Sequence, residues 1–289
     1  MCGIVGYVGH KHVVPILLEG LHRLEYRGYD SAGIAVVEDG ELCRVRMQGK
    51  VSCLTAQLAE RSFASTIGMG HTRWATHGKP SEANAHPHAN GDESIMVVHN
   101  GIIENYQILR EQLSARGYRF SSETDTEVVA HLIEDEYTGD LTQAVKRALR
   151  KVTGTYGLVV MHASHPRELV AARRGSPMVL GVGENEMLLA AMSPRSCASL
   201  IGWCIWKTMT SRAFGRMSTL LIRWPTSRSP ARRNGLNGKP MTSNSMAFRI
   251  TCSKKFLSSP KPLPMPCAAG SLAVRALRIS VAWIKCSAA

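Results

Sequence analysis

The chain has 289 residues, 44% hydrophobic and 20% charged, with a formal net charge of +13. That length gives one large domain or two ordinary ones, with enough apolar material for a core. No run reaches about 18 apolar residues and no basic stretch precedes an apolar one at the start, so neither a spanning helix nor a signal peptide is predicted. Eight scattered cysteines without a Cys-x-x-Cys pair argue against a disulfide framework and point to a reducing cytoplasm.

The charge is unevenly spread. Residues 1–192 hold all 22 acidic residues and 19 of the 35 Lys and Arg. Residues 193–289 hold the other 16 Lys and Arg and no acid, with four of the five tryptophans and five of the eight cysteines. Two sequences of different character are joined.

In the first part, Gly3–Val8 reads as a strand. Val14, Leu17, Leu18, Leu21 and Leu24 follow the helical period, with Pro15 near the start where proline is tolerated. Ile34–Val37 and Leu42–Met47 flank Asp39-Gly40, the signature of a tight hairpin. Ile67–Thr72 and Ile95–His99 read as strands. Tyr106–Ala115, Glu127–Tyr137 and Leu141–Val152 read as helices. Tyr156–Met161, Leu169–Ala172 and Met178–Val182 are strand-like again. Strands in clusters, with hairpins, predict stacked antiparallel sheets with helices outside.

Cys2 is the first chemistry carrier. Once Met1 is removed, it holds a thiol nucleophile and a free α-amine on one residue. That amine has an ordinary pKa of about 7.7–8.0, suited to taking and returning a proton near neutrality. Taken by itself, Cys2 reads equally as a small half-buried residue opening a strand. Four strings change that: Met1-Cys2-Gly3-Ile4-Val5-Gly6; His22 to Gly33, which includes Arg27 in Glu25-Tyr26-Arg27-Gly28-Tyr29-Asp30; Gly70-His71-Thr72-Arg73-Trp74-Ala75-Thr76-His77-Gly78; and His99-Asn100-Gly101-Ile102-Ile103-Glu104-Asn105, followed by Glu123-Thr124-Asp125-Thr126-Glu127.

In this order they resemble the class II glutamine amidotransferases, and among them the glutaminase half of the glutamine–fructose-6-phosphate aminotransferases. The resemblance runs from Met1 to about Ala190. It implies an α+β fold, a four-layer αββα N-terminal-nucleophile hydrolase sandwich of two antiparallel sheets. Hydrolysis of glutamine is the implied activity, with Cys2 as nucleophile and no cofactor. Asn100, through its side-chain amide, and Gly101, through its backbone N–H, match the oxyanion hole. Arg73 matches the fork that takes the substrate carboxylate, and Asp125 the acid that takes its ammonium. Thr76 and His77 fall in the loop that closes over glutamine. Trp74 resembles the gate to an ammonia channel, and Arg27 a residue holding the N-terminal end of the site. Singly, Arg73 also reads as a surface strand residue and Asp125 as a helix cap.

Five of the eleven histidines, His71, His77, His86, His88 and His99, fall within residues 71–99. A metal site is the rival reading. There is no His-Glu-x-x-His, and His86-Pro87-His88 is not a helical ligand spacing, so polar scaffolding is predicted and no metal.

The acid-free end admits two readings. One is a basic nucleic-acid tail, which makes the chain a non-catalytic binding protein. The other is translation out of frame. With codons begun one base earlier, Ala191–Ala198 can be read as Asp-Val-Ala-Ala-Leu-Val-Arg. Cys204–Ser211 can be read as Tyr-Leu-Glu-Asp-Asp-Asp-Val, and Lys255–Pro260 as Ile-Phe-Glu-Gln-Pro. These strings resemble the same family in order. The expected organisation is therefore a truncated amidotransferase domain over 2–190 and a largely irregular out-of-frame tail over 191–289. Fructose 6-phosphate is then a partner of the full-length family member only, nucleic acid is not a partner, and no membrane is involved.

Overall fold

The structure, a computed structural model, describes residues 2–75, 78–183, 185–191, 205–209 and 218–223, the last two segments as backbone only. Its elements run β1 (Gly3–Val8), α1 (Val13–Leu24), a 3₁₀ turn (Glu25–Arg27), β2 (Ser31–Glu38), β3 (Glu41–Gln48), α2 (Val51–Ala59) and β4 (Ile67–Arg73). Then come β5 (His88–Ala89), β6 (Ile95–Ile103), α3 (Tyr106–Ala115), α4 (Asp125–Asp135) and α5 (Leu141–Arg150). The order closes with β7 (Gly154–His162), β8 (Glu168–Arg174), β9 (Met178–Gly183), β10 (Glu186–Ala190), β11 (Ile205–Met209) and β12 (Ser218–Arg223).

Two antiparallel sheets result. One has seven strands in the order β11-β9-β10-β1-β4-β2-β3, the other five in the order β12-β8-β7-β6-β5. Strand periodicity explains how they stack, because both faces of the central strands are apolar. In β1, Ile4 and Val8 face the second sheet, while Val5 and Tyr7 face the helices. In β6, Met96 and Val98 enter the inter-sheet core, and Ile95 and Val97 pack against α3–α5. Three hydrophobic layers therefore separate four structural layers, the αββα arrangement expected. The hairpin turn also holds: Asp39 and Gly40 have φ of 51° and 85°, as a primed two-residue turn requires.

Several boundaries differ from the sequence reading. Helix α4 begins at Asp125, two residues early, because the Thr124 side chain accepts the Glu127 N–H and caps it. Strand β6 runs past His99 through Asn100 and Gly101, poor strand formers held by pairing with Gly157 and Tyr156 of β7. Helix α2 was not foreseen. Its nine residues have no side-chain cap of their own, and Glu25 Oε1 accepts the Val51 N–H at 2.8 Å from another segment. Within the tail, two short segments are strands. Backbone of Ile205–Met209 pairs with β9, and that of Ser218–Arg223 pairs with β8, each at the edge of a sheet. Ala191 is buried and donates its N–H to the Ile4 carbonyl at 3.0 Å, and the remaining tail positions lie outside the described residues.

Candidate active site

The pairing of β1 with β4 sets Gly3 opposite Thr72, which brings Cys2 beside Arg73 and Trp74. Asn100 and Gly101 arrive from β6 and Asp125 from the first turn of α4. Cys2, Arg73, Trp74, Asn100, Gly101 and Asp125 line one cavity of about 480 Å³, completed by Thr155, Ser176 and the start of α4. Residues from three of the four strings therefore share one hollow.

Cys2 is half-buried. Its Sγ accepts the Trp74 N–H at 3.1 Å. Burial pushes the thiol pKa up, and the Trp74 hydrogen bond opposes that. The group is thus a thiol at neutral pH that needs a base to become a nucleophile.

Asn100 donates from Nδ2 to the Cys2 carbonyl oxygen at 3.1 Å. Gly101 has φ of 139°, and a Cβ there would stand 2.0 Å from the Thr155 carbonyl oxygen, so only glycine fits.

Arg73 is 3% exposed, which removes the surface-strand reading. Its Nη2 donates to the Gly78 carbonyl at 3.0 Å and its Nη1 lies 3.5 Å from Asp30 Oδ1. Asp125 is buried as well. Its Oδ2 accepts the Ile103 N–H at 2.9 Å. Thr124, not Asp125, caps α4. The preceding loop is pinned by Glu127, whose carboxylate accepts the N–H and hydroxyl of both Ser121 and Ser122 at 2.6–2.8 Å.

Trp74 is 54% exposed and stands over Gly28, where a Cβ would fall 1.7 Å from its ring. Arg27 sits in the 3₁₀ turn just before that glycine. The calls on its side chain, and on Thr76 and His77, lie outside the described residues.

Sequence reasoning assigned no role to Asp30, which the structure places centrally. Its carboxylate receives the Ala75 N–H, the Ser31 hydroxyl and an Arg73 nitrogen, so it braces the loop that carries Trp74. Its place inside the Glu25–Asp30 string was the available signal. Of the five histidines, His71, His86, His88 and His99 are buried and bond to one another or to hydroxyls. Among the described residues, no three His, Cys, Asp or Glu form a group able to hold a metal.

With a half-buried Cys2 thiol beside Asn100 and Gly101, where two antiparallel sheets meet, the chain has the fold of the N-terminal-nucleophile amidotransferases. Residues 71–195 match the family model described as a glutamine amidotransferase domain. The first two-thirds of the chain are homologous to the N-terminal third of glutamine–fructose-6-phosphate aminotransferases [isomerizing]. Identity is 57% over 194 residues to that of Haemophilus influenzae, covering 66% of this chain and 32% of the relative. It is 55% over 194 residues to that of Thermus thermophilus, covering 67% and 32%. The chain thus spans about a third of the length of the curated relatives it matches. Among solved structures, a glutamine phosphoribosylpyrophosphate amidotransferase from B. subtilis superposes with a TM-score of 0.65 at 25% identity, over 77% of this chain and 47% of that one. A regulatory enzyme of purine biosynthesis gives 0.64 at 26% identity over the same shares.

Proposed function

We propose that residues 2–190 hydrolyse L-glutamine to glutamate and ammonia, with Cys2 as nucleophile after removal of Met1. The observation that carries this is the convergence of Cys2, Asn100, Arg73 and Asp125 on one cavity. Arg73 takes the substrate carboxylate as a planar fork, giving up its contact with the Gly78 carbonyl. Asp125 takes the ammonium. The Cys2 α-amine accepts the thiol proton as sulfur attacks the side-chain carbonyl carbon. The oxyanion so formed is met by Asn100 Nδ2–H and the Gly101 N–H. Collapse expels ammonia, which carries that proton away, and leaves a thioester that water hydrolyses to glutamate.

The relatives' names join glutamine to fructose 6-phosphate. This chain covers their amidotransferase portion, so we propose that residues 2–190 supply the ammonia-releasing half-reaction. Residues 191–289 are proposed to be an out-of-frame product, with no nucleic-acid function drawn from their charge. Free thiols at the described Cys2, Cys43 and Cys53 favour a reducing cytoplasm, and no described helix is long and apolar enough to cross a membrane. The test is glutamate release from glutamine by the purified chain, with intact mass confirming loss of Met1. A Met1-free chain that leaves glutamine untouched refutes the proposal. Resequencing the gene around codon 191 tests the frame.

A further inference from the structure

Four buried side chains link the first turn of α4 to the side-chain amide of Asn100. His71 Nε2 lies 2.9 Å from Asn100 Oδ1 and 3.0 Å from the His99 carbonyl oxygen. Both partners are acceptors, so Nε2 carries the proton and donates. His86 Nδ1 lies 3.0 Å from each ring nitrogen of His71. With the His71 Nε2 proton committed, Nδ1 of His71 accepts and Nδ1 of His86 donates. His86 Nε2 then accepts the Thr126 hydroxyl at 3.0 Å, and that hydroxyl oxygen accepts His99 Nδ1–H at 3.0 Å. Thr126 Oγ1 also lies 3.4 Å from Asp125 Oδ1, so the direction that matters, His71 Nε2–H towards Asn100 Oδ1, is fixed by the His99 carbonyl beside it.

The amide of asparagine is nearly symmetric in shape but not in chemistry. Turned over, it would aim a carbonyl oxygen at the developing oxyanion and repel it. We propose that His71 is a positioning residue for the oxyanion hole, fixing Asn100 with Oδ1 towards the histidines and Nδ2 towards Cys2. The 3.1 Å contact from Asn100 Nδ2 to the Cys2 carbonyl shows the orientation already set before substrate arrives. A charged His71 could not accept from His86, and burial, which holds its pKa down at about 3, keeps the ring neutral at working pH. The inference rests on the glutaminase reading for its consequence and on the hydrogen bonds alone for its orientation.

The test uses the Met1-free full chain with His71→Leu, His71→Gln, Asn100→Ala and the Leu/Ala double variant. Asn100→Ala should lower kcat roughly 10²-fold. His71→Leu should lower kcat about tenfold or more, by releasing the amide, with KM within about twofold. His71→Gln, which keeps a terminal N–H donor, should recover most of that. In the Asn100→Ala background His71→Leu should add under about twofold, because its partner is gone. Equal kcat losses in both backgrounds, a change in KM alone, or an unchanged kcat would overturn the proposal. Nitrogen NMR of the His71 ring gives a readout that needs no turnover or folded Leu variant. A neutral Nε2–H tautomer at pH 7 is expected, and an Nδ1–H or doubly protonated ring overturns the proposal. If the Met1-free wild-type chain shows the expected tautomer yet never hydrolyses glutamine, the glutaminase reading has failed and the orientation has not.

Discussion

One carboxylate oxygen of Asp125 sits 2.9 Å from the backbone nitrogen of Ile103 and accepts its N–H. The contact ties the start of α4 to the end of β6, two residues beyond Gly101. The group proposed for the substrate ammonium is therefore fixed to the strand that carries the oxyanion hole. Asp125→Asn keeps the shape but loses the charge. We expect KM for glutamine to rise by the equivalent of about 2–5 kcal/mol, the usual cost of removing one partner of a buried charged pair. Steady-state kinetics measure this, and an unchanged KM would misplace the pocket.

Cys2→Ala should abolish glutamine hydrolysis, and Cys2→Ser should nearly do so. Cys43→Ala and Cys53→Ala should leave it intact, since neither thiol lines the cavity. An uncleaved extension before Cys2 should be as damaging as the alanine, because the base is then lost. Activity assays paired with intact mass separate these cases.

Arg73→Lys should weaken glutamine binding markedly. The guanidinium reaches the Gly78 carbonyl with one nitrogen and Asp30 with another, and a lysine ammonium cannot reproduce that fork. A KM increase of at least tenfold, about 1.4 kcal/mol, is the expected result. Titration of glutamine against initial rate reads it.

Gly101→Ala should damage folding and activity together. The added carbon would stand 2.0 Å from the Thr155 carbonyl oxygen, and φ of 139° is strained for any side chain. Strand β6 would have to part from β7 at the oxyanion hole. Thermal unfolding is expected to fall by several degrees even where some fold persists.

Stability should decline as pH falls below about 6.5. His71, His86 and His88 are buried with pKa values pushed down by desolvation, His71 to about 3. Between the unfolded value near 6.5 and the folded one, the unfolded chain binds protons that the folded chain refuses. Stability from His71 is therefore complete above pH 6.5 and is lost progressively down to about pH 3, and His86 and His88 act in the same direction. His71 contributes up to about 1.4 kcal/mol per pH unit in that window. Denaturant unfolding at pH 7 and pH 5 should show a clear loss, and His71→Gln should shrink the slope.

Much of the site was legible because its residues lie in short contiguous strings. Cys2 is marked by position, Arg73 and Trp74 by their motif, and Asn100-Gly101 by theirs, and the structure places these residues around one cavity with Asp125. Stacked antiparallel sheets were legible from clustered strands and the Asp39-Gly40 hairpin, the four-layer sandwich only from the family resemblance, and apolar residues on both faces of β1 and β6 account for the stacking. What tertiary structure alone decided depends on partners far away in sequence. Helix α2 starts where Glu25 supplies a cap, β6 extends past His99 because β7 holds it, and α4 starts at Thr124's hydroxyl rather than at the first apolar residue. Asp30 braces the Trp74 loop across 45 residues, and His71 meets Asn100 across 29. In the tail, the backbone of Ile205–Met209 and Ser218–Arg223 pairs with β9 and β8 at open sheet edges, a partnership no local string announces. Periodicity and motif report what a residue can do locally, and hydrogen-bond partners supplied by a remote segment are invisible until the chain is folded.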